Sequence, residues 1–405
     1  MSGTIKRRAI IIGGSIGGLF AALLLRQQGW DACIYERVPT PLNGRGAGIV
    51  THPELRAILQ RLGLDPHRDF GIEIAERITL GREGDVVGTY PCAQVATSWE
   101  RVFGMLRGLL PDKYYVHGAE LTAIDVDDHG VCVRFADGRQ AHGDVLIGAD
   151  GVRSTVRQLL AGDVVPSYAG YVAWRGLLAE ADVPAEIGGR FSFCLPPGEQ
   201  ILAYPVAGEG NDLRPGRRRY NFVWYRPADE AHALPELLTD IHGKTHAVSI
   251  PPPLIRPAVT SAMREAAEQT LAPAFAAMVA ATVQPFLQPI FDLELPQIAW
   301  KRAVLMGDAA FVVRPHVGAG VTKAAEDAMC LATALATALA APGSLEVALD
   351  RYQAERLPAG KRLVQRGRHL GAYMQAHLST EEERQAAFRH HTPEAVMAET
   401  ALLDF

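Results

Sequence analysis

The chain has 405 residues, more than one compact core accommodates, so we expect two domains. Its 40 basic and 45 acidic side chains give a formal net charge of -5 without blocks of like charge, which argues against a nucleic-acid or anionic-membrane partner. The five cysteines are scattered and include no C-x-x-C pair, which favours reduced thiols of a cytoplasmic protein over a disulfide framework or a metal site. We expect no signal peptide before the first strand, and the apolar stretch Leu331–Ala341 is too short to span a bilayer.

The amino-terminal segment predicts a buried parallel strand, a glycine-rich turn and a helix. Ala9–Ile12 is short and β-branched, and Leu19–Leu25 has the apolar character of a helix packed on a sheet. Such a turn lets the backbone approach a pyrophosphate, whose charge then lies at the amino terminus of the helix. The turn residues assigned to cofactor binding are Gly13, Gly14, Ser15, Ile16 and Gly18.

An acidic residue supports a dinucleotide site. Glu36 closes the next strand, Cys33–Tyr35, about twenty residues beyond the turn, where a carboxylate accepts from a ribose hydroxyl. Arg37 and Arg45, the latter in a following glycine-rich connection, are assigned to the same site. Ser15 replaces the middle glycine of the G-x-G-x-x-G pattern, and its hydroxyl could donate to phosphate. The alternative is a turn that only packs helix on strand.

Strands dominate the middle of the chain. A helical pattern at 53–62 is followed by strand-like alternation at 76–80 and 86–90, a helix at 102–110 and a meander at 120–147. From Tyr168 to Arg226, aromatic-rich strands predict an antiparallel sheet, after which a proline-rich crossing segment begins at Pro251.

Two later segments also have the character of cofactor loops. Asp150 and Gly151 follow a predicted strand and precede Arg153, Ser154 and Arg157, although Asp-Gly is also a common turn dipeptide. Asp308 lies at the carboxyl end of another parallel strand, where open α/β sheets bind ligands, although Gly307-Asp308 could be a simple helix cap. The helix that begins near Val321 would direct its positive end at an anionic ligand. Cofactor-binding residues expected there are Gly318, Ala319, Gly320 and Val321.

These three segments, in this order, resemble the single-component FAD-dependent aromatic hydroxylases, the p-hydroxybenzoate hydroxylase-like class. Within the class, 13–16, 168–176 and 314–316 are most similar to the 2,6-dihydroxypyridine 3-hydroxylases. The resemblance implies that Asp150 serves FAD and the pyridine nucleotide, and that Asp308 contacts the FAD ribose. Phe311 and Thr322 depart from the wider class, which usually has histidine and commonly has asparagine at these positions.

The expected fold is α/β. A Rossmann-like FAD-binding domain, with three layers and a mostly parallel sheet, carries an inserted antiparallel-β substrate domain and C-terminal helices. Expected boundaries are 1–72, 95–165 and 290–345 for the FAD-binding domain, 73–94 and 166–289 for the substrate domain, and 346–405 for the helical segment.

Candidate substrate residues lie in the insert and in the third segment. Tyr204 and Tyr225 on predicted strands and Arg314, Pro315 and His316 in the turn after Asp308 are assigned to the substrate pocket. Arg314 could neutralise an ionised ring, and His316 or His52 could act as base or orienting donor. Each of these residue types also has a purely structural alternative. A tyrosine could lie in the core, the arginine could pair with a surface acid, and a histidine could only fill a turn.

We therefore expect a monooxygenase that hydroxylates a small aromatic or N-heteroaromatic phenol-type ring, with hydroxypyridine favoured. It would use non-covalent FAD, transiently bound NADH or NADPH, and O2 through a flavin C4a-hydroperoxide. The alternatives are a flavin-dependent epoxidase, oxidase or halogenase on the same scaffold, or a non-catalytic flavin-binding protein. No membrane partner is expected, and a homodimer through the C-terminal helices is left open.

Overall fold

The structure, a computed structural model, describes residues 7–42, 48–66, 68, 70–162, 164–338 and 344–403. Its strands are β1 Arg8–Ile12, β2 Asp31–Tyr35, β3 Gly48–Val50, β4 Ile72–Leu80, β5 Val86–Ser98, β6 Tyr115–Val116, β7 Leu121–Val126, β8 Val131–Phe135, β9 Gln140–Gly143, β10 Val145–Gly148, β11 Ser167–Ala179, β12 Phe191–Cys194, β13 Gln200–Val206, β14 Arg219–Pro227, β15 Phe286–Asp292, β16 Ala299–Trp300 and β17 Ala303–Leu305. Its helices are α1 Ile16–Gln27, α2 Pro53–Arg61, α3 Trp99–Leu109, α4 Thr155–Ala161, α5 Ala233–Leu237, α6 Pro257–Thr270, α7 Pro273–Ala281, α8 Gly320–Ala338, α9 Ser344–Gly371, α10 Glu381–His390 and α11 Pro393–Glu399.

The first sheet has the order β16-β17-β10-β1-β2-β6, and every pair except β16–β17 is parallel. Its central strand β1 is apolar on both faces because both are covered. Ile11 faces α1 and Ile10 faces Gly143 of the small β7-β8-β9 sheet. Helix, parallel sheet and small sheet thus form three layers, as the sequence predicts.

The second sheet has the order β15-β11-β14-β13-β12-β4-β5-β3 and is antiparallel except for the pair β4–β12. Helices α6 and α7 cover one face, where Phe275 and Met278 join the apolar cluster of Trp174 and Trp224. The sequence analysis did not predict these two helices, although each begins with a proline at its first turn, a common helix start. The opposite face, called the inner face below, carries Tyr204, which was predicted to line the substrate pocket.

The expected fold class is confirmed: a mostly parallel sheet is followed by a curled, largely antiparallel sheet and by C-terminal helices. The domain boundaries stay a prediction. Within the described ranges, the structure contains no helix that is both long enough and apolar enough to cross a membrane.

Candidate active site

The glycine turn after β1 is built for close approach of backbone segments. Gly13 has φ +104°, and a Cβ there would lie 2.4 Å from the carbonyl oxygen of Ala149. A Cβ on Gly14 would lie 2.0 Å from the hydroxyl of Tyr115. These two positions therefore exclude a side chain, which explains the glycines physically. Ser15 takes the N-cap position of α1 without using its hydroxyl as a cap, so that the hydroxyl is available to a ligand.

Glu36 ties this turn to the end of β2. Its buried carboxylate accepts from the backbone N–H of Gly14 at 2.8 Å and of Val38 at 2.9 Å. The Tyr115 hydroxyl donates to the Gly14 carbonyl oxygen at 2.8 Å, so both polar groups of Gly14 are held. Tyr115 was not among the predicted site residues, because it lies on β6, 101 residues after Gly14 in the chain.

A cavity of about 290 Å³ opens at this turn. It brings together predicted cofactor residues from two of the three segments. The assigned residues that line it are Gly13, Ser15, Glu36, Arg37 and Asp150. Arg45 lies outside the described residues.

Asp150 organises the second segment as well as lining the cavity. Its carboxylate accepts from the Ser154 hydroxyl at 2.5 Å and from the N–H of Val156 at 3.1 Å, and burial raises its pKa. Arg157, also buried, donates to the carbonyl oxygen of Ala309 at 3.1 Å. The second segment is thereby fastened to the third.

The third segment presents Asp308 at the end of β17. Its neighbour Gly307 has φ +59° and donates to Asp327 at 2.9 Å, which fixes the turn. The carboxylate of Asp308 is 3.3 Å from the buried Lys323 ammonium, yet its side chain remains 45% exposed. A Cβ on Gly320, the first residue of α8, would meet nothing within 4 Å. The Asp308 carboxylate and the amino terminus of α8 are therefore both open to a ligand.

These features fit the FAD expected from the sequence. Glu36 would accept from a ribose hydroxyl, the amino terminus of α1 would hold the pyrophosphate, and Asp308 would contact the FAD ribose as the resemblance implies. The open amino terminus of α8 suits the electron-rich edge of the flavin ring.

His52 lies at the start of α2, where both ring nitrogens contact described groups. Nδ1 lies 2.9 Å from the Thr322 hydroxyl, and Nε2 lies 3.3 Å from the carbonyl oxygen of Ala401. Because a carbonyl only accepts, Nε2 carries the proton and Nδ1 accepts from Thr322. The Ala401 carbonyl thus sets the tautomer of the predicted catalytic histidine, and Thr322, a departure from the wider class, complements it.

His316 lies in a buried aromatic cluster. Nε2 is 2.5 Å from the Tyr171 hydroxyl, and the Tyr225 ring centroid is 4.6 Å away. Nδ1 has no hydrogen-bond partner among the described residues. Burial, aided by the nearby charge of Arg314, lowers the pKa of His316 to about 3. The imidazole is therefore neutral and a weak base, which favours the orienting role over the basic one.

Arg314 is fully engaged with protein groups. Its guanidinium donates to Asp292 at 2.8 Å and to Gln375 at 2.7 Å, and its side chain is 6% exposed. Direct neutralisation of a ring stays a prediction that this geometry does not favour, because the charge already has a buried partner. Pro315 begins the short 3₁₀ turn that places His316.

The inner face of the second sheet holds the predicted substrate tyrosines. Tyr204 on β13 pairs with Asn221 on β14. Farther along the same face, Tyr225 on β14 pairs with Gln200 on β13. Burial raises the pKa of Tyr204 to about 12 and that of Tyr225 further, so both hydroxyls keep their protons. On β11, the next strand beyond β14, Arg175 pairs with Val223 on the same face; it donates to Gln288 at 3.0 Å and is only partly buried.

Sequence analysis missed Tyr171, Arg175 and Asn221. Their strand alternation does signal a shared face, since residues two apart on a strand point the same way. What the alternation could not show is which of the two faces looks toward the cofactor domain.

Comparisons with known proteins agree with this geometry. Residues 168–292 match the family described as FAD binding domain-like, and residues 297–367 match the FAD binding domain family. Across 389 residues, 92% of this chain and 94% of the relative, the chain is 34% identical to 2,6-dihydroxypyridine 3-monooxygenase of Paenarthrobacter nicotinovorans. It is 30% identical to 3-amino-4-hydroxybenzoate 2-monooxygenase of Streptomyces cremeus, covering 90% of this chain and 86% of the relative.

A solved structure is similar over nearly the whole fold. The structure of 2,6-dihydroxypyridine-3-hydroxylase from Arthrobacter nicotinovorans superposes with a TM-score of 0.85 at 31% identity, covering 95% of this chain and 96% of that one. The resemblance expected from the three segments is thereby confirmed. The chain belongs to the FAD-dependent aromatic hydroxylases, a family of flavoprotein monooxygenases.

Proposed function

We propose that the protein hydroxylates a small hydroxypyridine-type ring, using NADH or NADPH and O2. FAD supplies the activation of O2. The chain's own residues have three tasks: to hold the ring against the flavin, to exclude water, and to keep the ring's ionisable groups in the reactive protonation state.

The observation that carries the substrate class is Asn221. Its side chain is completely buried, and neither Oδ1 nor Nδ2 has a hydrogen-bond partner among the described residues. An unpaired buried carboxamide costs free energy, so a ligand that satisfies both atoms is the natural partner. A hydroxypyridine in its lactam form offers an N–H donor beside a C=O acceptor, which complements a carboxamide. This pairing supports a hydroxypyridine over a carbocyclic phenol.

Arg175 supports ionisation of the ring. Its Nε has no hydrogen-bond partner among the described residues, while its terminal nitrogen is held by Gln288. Arg175 also lies on the same face as the two substrate tyrosines. A guanidinium held there would stabilise a pyridinolate, and an ionised ring is more nucleophilic toward an electrophilic oxygen. Arg175 therefore replaces Arg314 as our candidate for this role.

His316 would act as a neutral group. His52 can exchange a proton through Nε2 only if its bond to Ala401 is replaced by one to the substrate. When the Tyr171 hydroxyl donates to Nε2 of His316, the ring proton is on Nδ1, which then offers an unused donor. Of the two, His52 is the better candidate for the base, because its proton can move to Nδ1, where the Thr322 hydroxyl can accept it, so that Nε2 can accept from the substrate.

The nicotinamide cofactor has a separate candidate location. A cavity of about 320 Å³ next to the second segment is lined by Arg153, Gln158 and Val248. Arg153 is exposed, so it can pair with a phosphate of a transiently bound NADH or NADPH. Arg153→Ala should raise the KM for the nicotinamide cofactor without weakening FAD binding.

Three further expectations belong to this proposal. The scattered, unpaired cysteines support a cytoplasmic location, where thiols stay reduced. FAD should be held non-covalently, through the contacts already described. A homodimer would use the C-terminal helices, where Phe388 on α10 has 80% of its side chain exposed.

Asn221→Leu tests the substrate class. Leucine has nearly the same volume but makes no hydrogen bond, so the KM for 2,6-dihydroxypyridine should rise by roughly 5- to 100-fold. The ligand-free protein should become more stable by about 1–3 kcal/mol, because the unpaired carboxamide is gone. The same variant assayed with 3-amino-4-hydroxybenzoate is the internal control. An unchanged KM for the hydroxypyridine, or a loss of stability, would remove Asn221 from substrate recognition.

A further inference from the structure

The last described segment of the chain lies over the proposed substrate face. This carboxyl-terminal strap, Thr392–Leu403, contains α11 and the residues after it. Val396, Met397 and Ala401 are buried in the same apolar cluster as Tyr204 and Tyr225. The strap contacts β4 and β5 on one side. It is therefore packed against the strands that carry the proposed substrate face.

On the sheet side the strap is held by Arg77 of β4. The Arg77 side chain is completely buried. One terminal nitrogen donates to the carbonyl oxygens of Met397 at 2.6 Å and Thr400 at 2.7 Å, and the other donates to Gln94. Gln94 in turn donates to the carbonyl oxygen of Ala401 at 3.0 Å. A buried guanidinium is costly unless it is hydrogen-bonded, and here the strap's main chain supplies the acceptors.

On the side of the third cofactor segment, the strap contacts the turn that carries Arg314, Pro315 and His316. The N–H of Ala401 donates to the carbonyl oxygen of His316 at 2.7 Å, and its carbonyl oxygen accepts from His52. A Cβ added to Gly318 would lie 2.6 Å from the Cβ of Ala401. Ala401 itself has φ +55°, a left-handed conformation that costs about 1–2 kcal/mol for a residue other than glycine. Its hydrogen bonds to both sides hold it in that conformation.

We propose that the carboxyl-terminal strap is the cover of the substrate pocket, and that Arg77 is a positioning residue that keeps this cover closed through main-chain carbonyls. The inference rests on the proposed function in one respect, since the covered face is the one proposed to hold the ring. A closed strap keeps water from the reacting atoms. An open strap lets the oxidising equivalents of O2 escape as hydrogen peroxide.

Arg77→Gln in the FAD-loaded protein tests this role, with Arg82→Gln as a matched control. Arg82 also donates to main-chain carbonyls, those of Leu271, Glu268 and Gln269, but at the far end of α6. The measurements are the FAD dissociation constant, quenching of flavin fluorescence by iodide, the substrate KM, and hydrogen peroxide formed per NAD(P)H consumed. For Arg77→Gln we expect at least a twofold rise in the quenching constant, the KM and the peroxide fraction. FAD affinity should stay within twofold, and Arg82→Gln should match wild type in all four.

A second variant keeps the test decisive if Arg77→Gln does not fold. A chain ending at His391 lacks the strap but keeps every residue assigned to FAD binding, and it should show the same changes. Unchanged quenching and peroxide fraction in a folded Arg77→Gln or truncated protein would overturn the proposal. Changes of the same size in the quenching constant and peroxide fraction of Arg82→Gln would also overturn the proposal. If wild type hydroxylates none of the rings tested but the quenching difference persists, the proposed function fails while the strap remains the cover.

Discussion

Glu36 does more than the single role that its position in the sequence indicates. Spacing from the glycine turn predicts a ribose acceptor, and the structure places Glu36 on the wall of the cofactor cavity. Its carboxylate also accepts from Gly14 and Val38. Spacing along one βαβ unit could indicate Glu36 itself. It could not indicate Tyr115, whose partner Gly14 is 101 residues away.

Glu36→Ala should weaken FAD binding by about 1.5–3 kcal/mol, the value of a hydrogen bond to a charged group. Part of this loss comes from the turn, because the N–H of Gly14 is left without its acceptor. Titration of the apoprotein with FAD, followed by flavin fluorescence, measures the change. Glu120→Ala, which removes an exposed carboxylate from the same cavity wall, is the control and should change affinity far less. Equal effects of the two variants would remove Glu36 from the site.

His316 illustrates what a residue type alone cannot establish. Histidine in a turn beside the cofactor suggested a base, but burial lowers its pKa to about 3. In the unfolded chain its pKa is near 6.5, so the unfolded state binds a proton that the folded state does not. Between these two values the folded protein therefore loses stability as the pH falls.

The stability of the protein should thus decline by up to about 1.4 kcal/mol for each pH unit below 6.5 through this one group. His316→Gln cannot take up the proton, so its stability should fall less steeply with acidification from pH 6.5 to pH 4. Urea denaturation at a series of pH values measures both slopes. The pH profile of turnover should keep its shape in His316→Gln, since a neutral hydrogen-bonding group does not titrate there. Parallel stability curves for the two proteins would contradict the assignment.

At the scale of elements, Asp292 at the end of β15 joins three parts of the fold. It accepts from Arg314 in the third segment and from Arg368 on α9, and it is 5% exposed. Helical structure was predicted for the carboxyl-terminal part that contains α9, but the strand β15 was not predicted from the sequence. Their junction was not predicted either, because the pairing of buried charges depends on packing that periodicity does not describe. The same limit explains why Arg314 was placed against the ring and Arg175 was overlooked.

Arg314→Gln should consequently act on stability more than on substrate binding. Removal of one partner from a buried ion pair costs about 3–5 kcal/mol, and the loss here should lie at the low end of that range because Asp292 keeps Arg368 as a second partner. Asp292→Asn should cost a similar amount, and the double variant less than the sum of the two. Denaturation measures the effect of each variant on stability, and substrate titration measures its effect on binding, so together they separate a structural role of Arg314 from direct contact with the ring. A stable Arg314→Gln protein with a raised substrate dissociation constant would restore the original prediction of direct contact with the ring.

At the scale of the whole molecule, the three cofactor segments could be predicted because each follows a strand of one parallel sheet. Parallel strands end at one edge, so loops far apart in the chain meet there. The substrate side was less predictable. Its face is formed by strands β4 and β11–β14 and closed by the carboxyl-terminal strap, and contacts such as that of Arg77 with Thr400 leave no local pattern in the sequence.

We propose that the protein inserts an oxygen atom from O2 into a hydroxypyridine ring. The direct measurement is the mass of the product formed from 2,6-dihydroxypyridine, NADH or NADPH and ¹⁸O-labelled O2 by the FAD-loaded protein. We expect one labelled oxygen per product molecule, and NAD(P)H oxidation that accelerates when the ring is added. Label incorporated only from ¹⁸O-labelled water, or NAD(P)H oxidised to hydrogen peroxide without a hydroxylated product, would contradict the account.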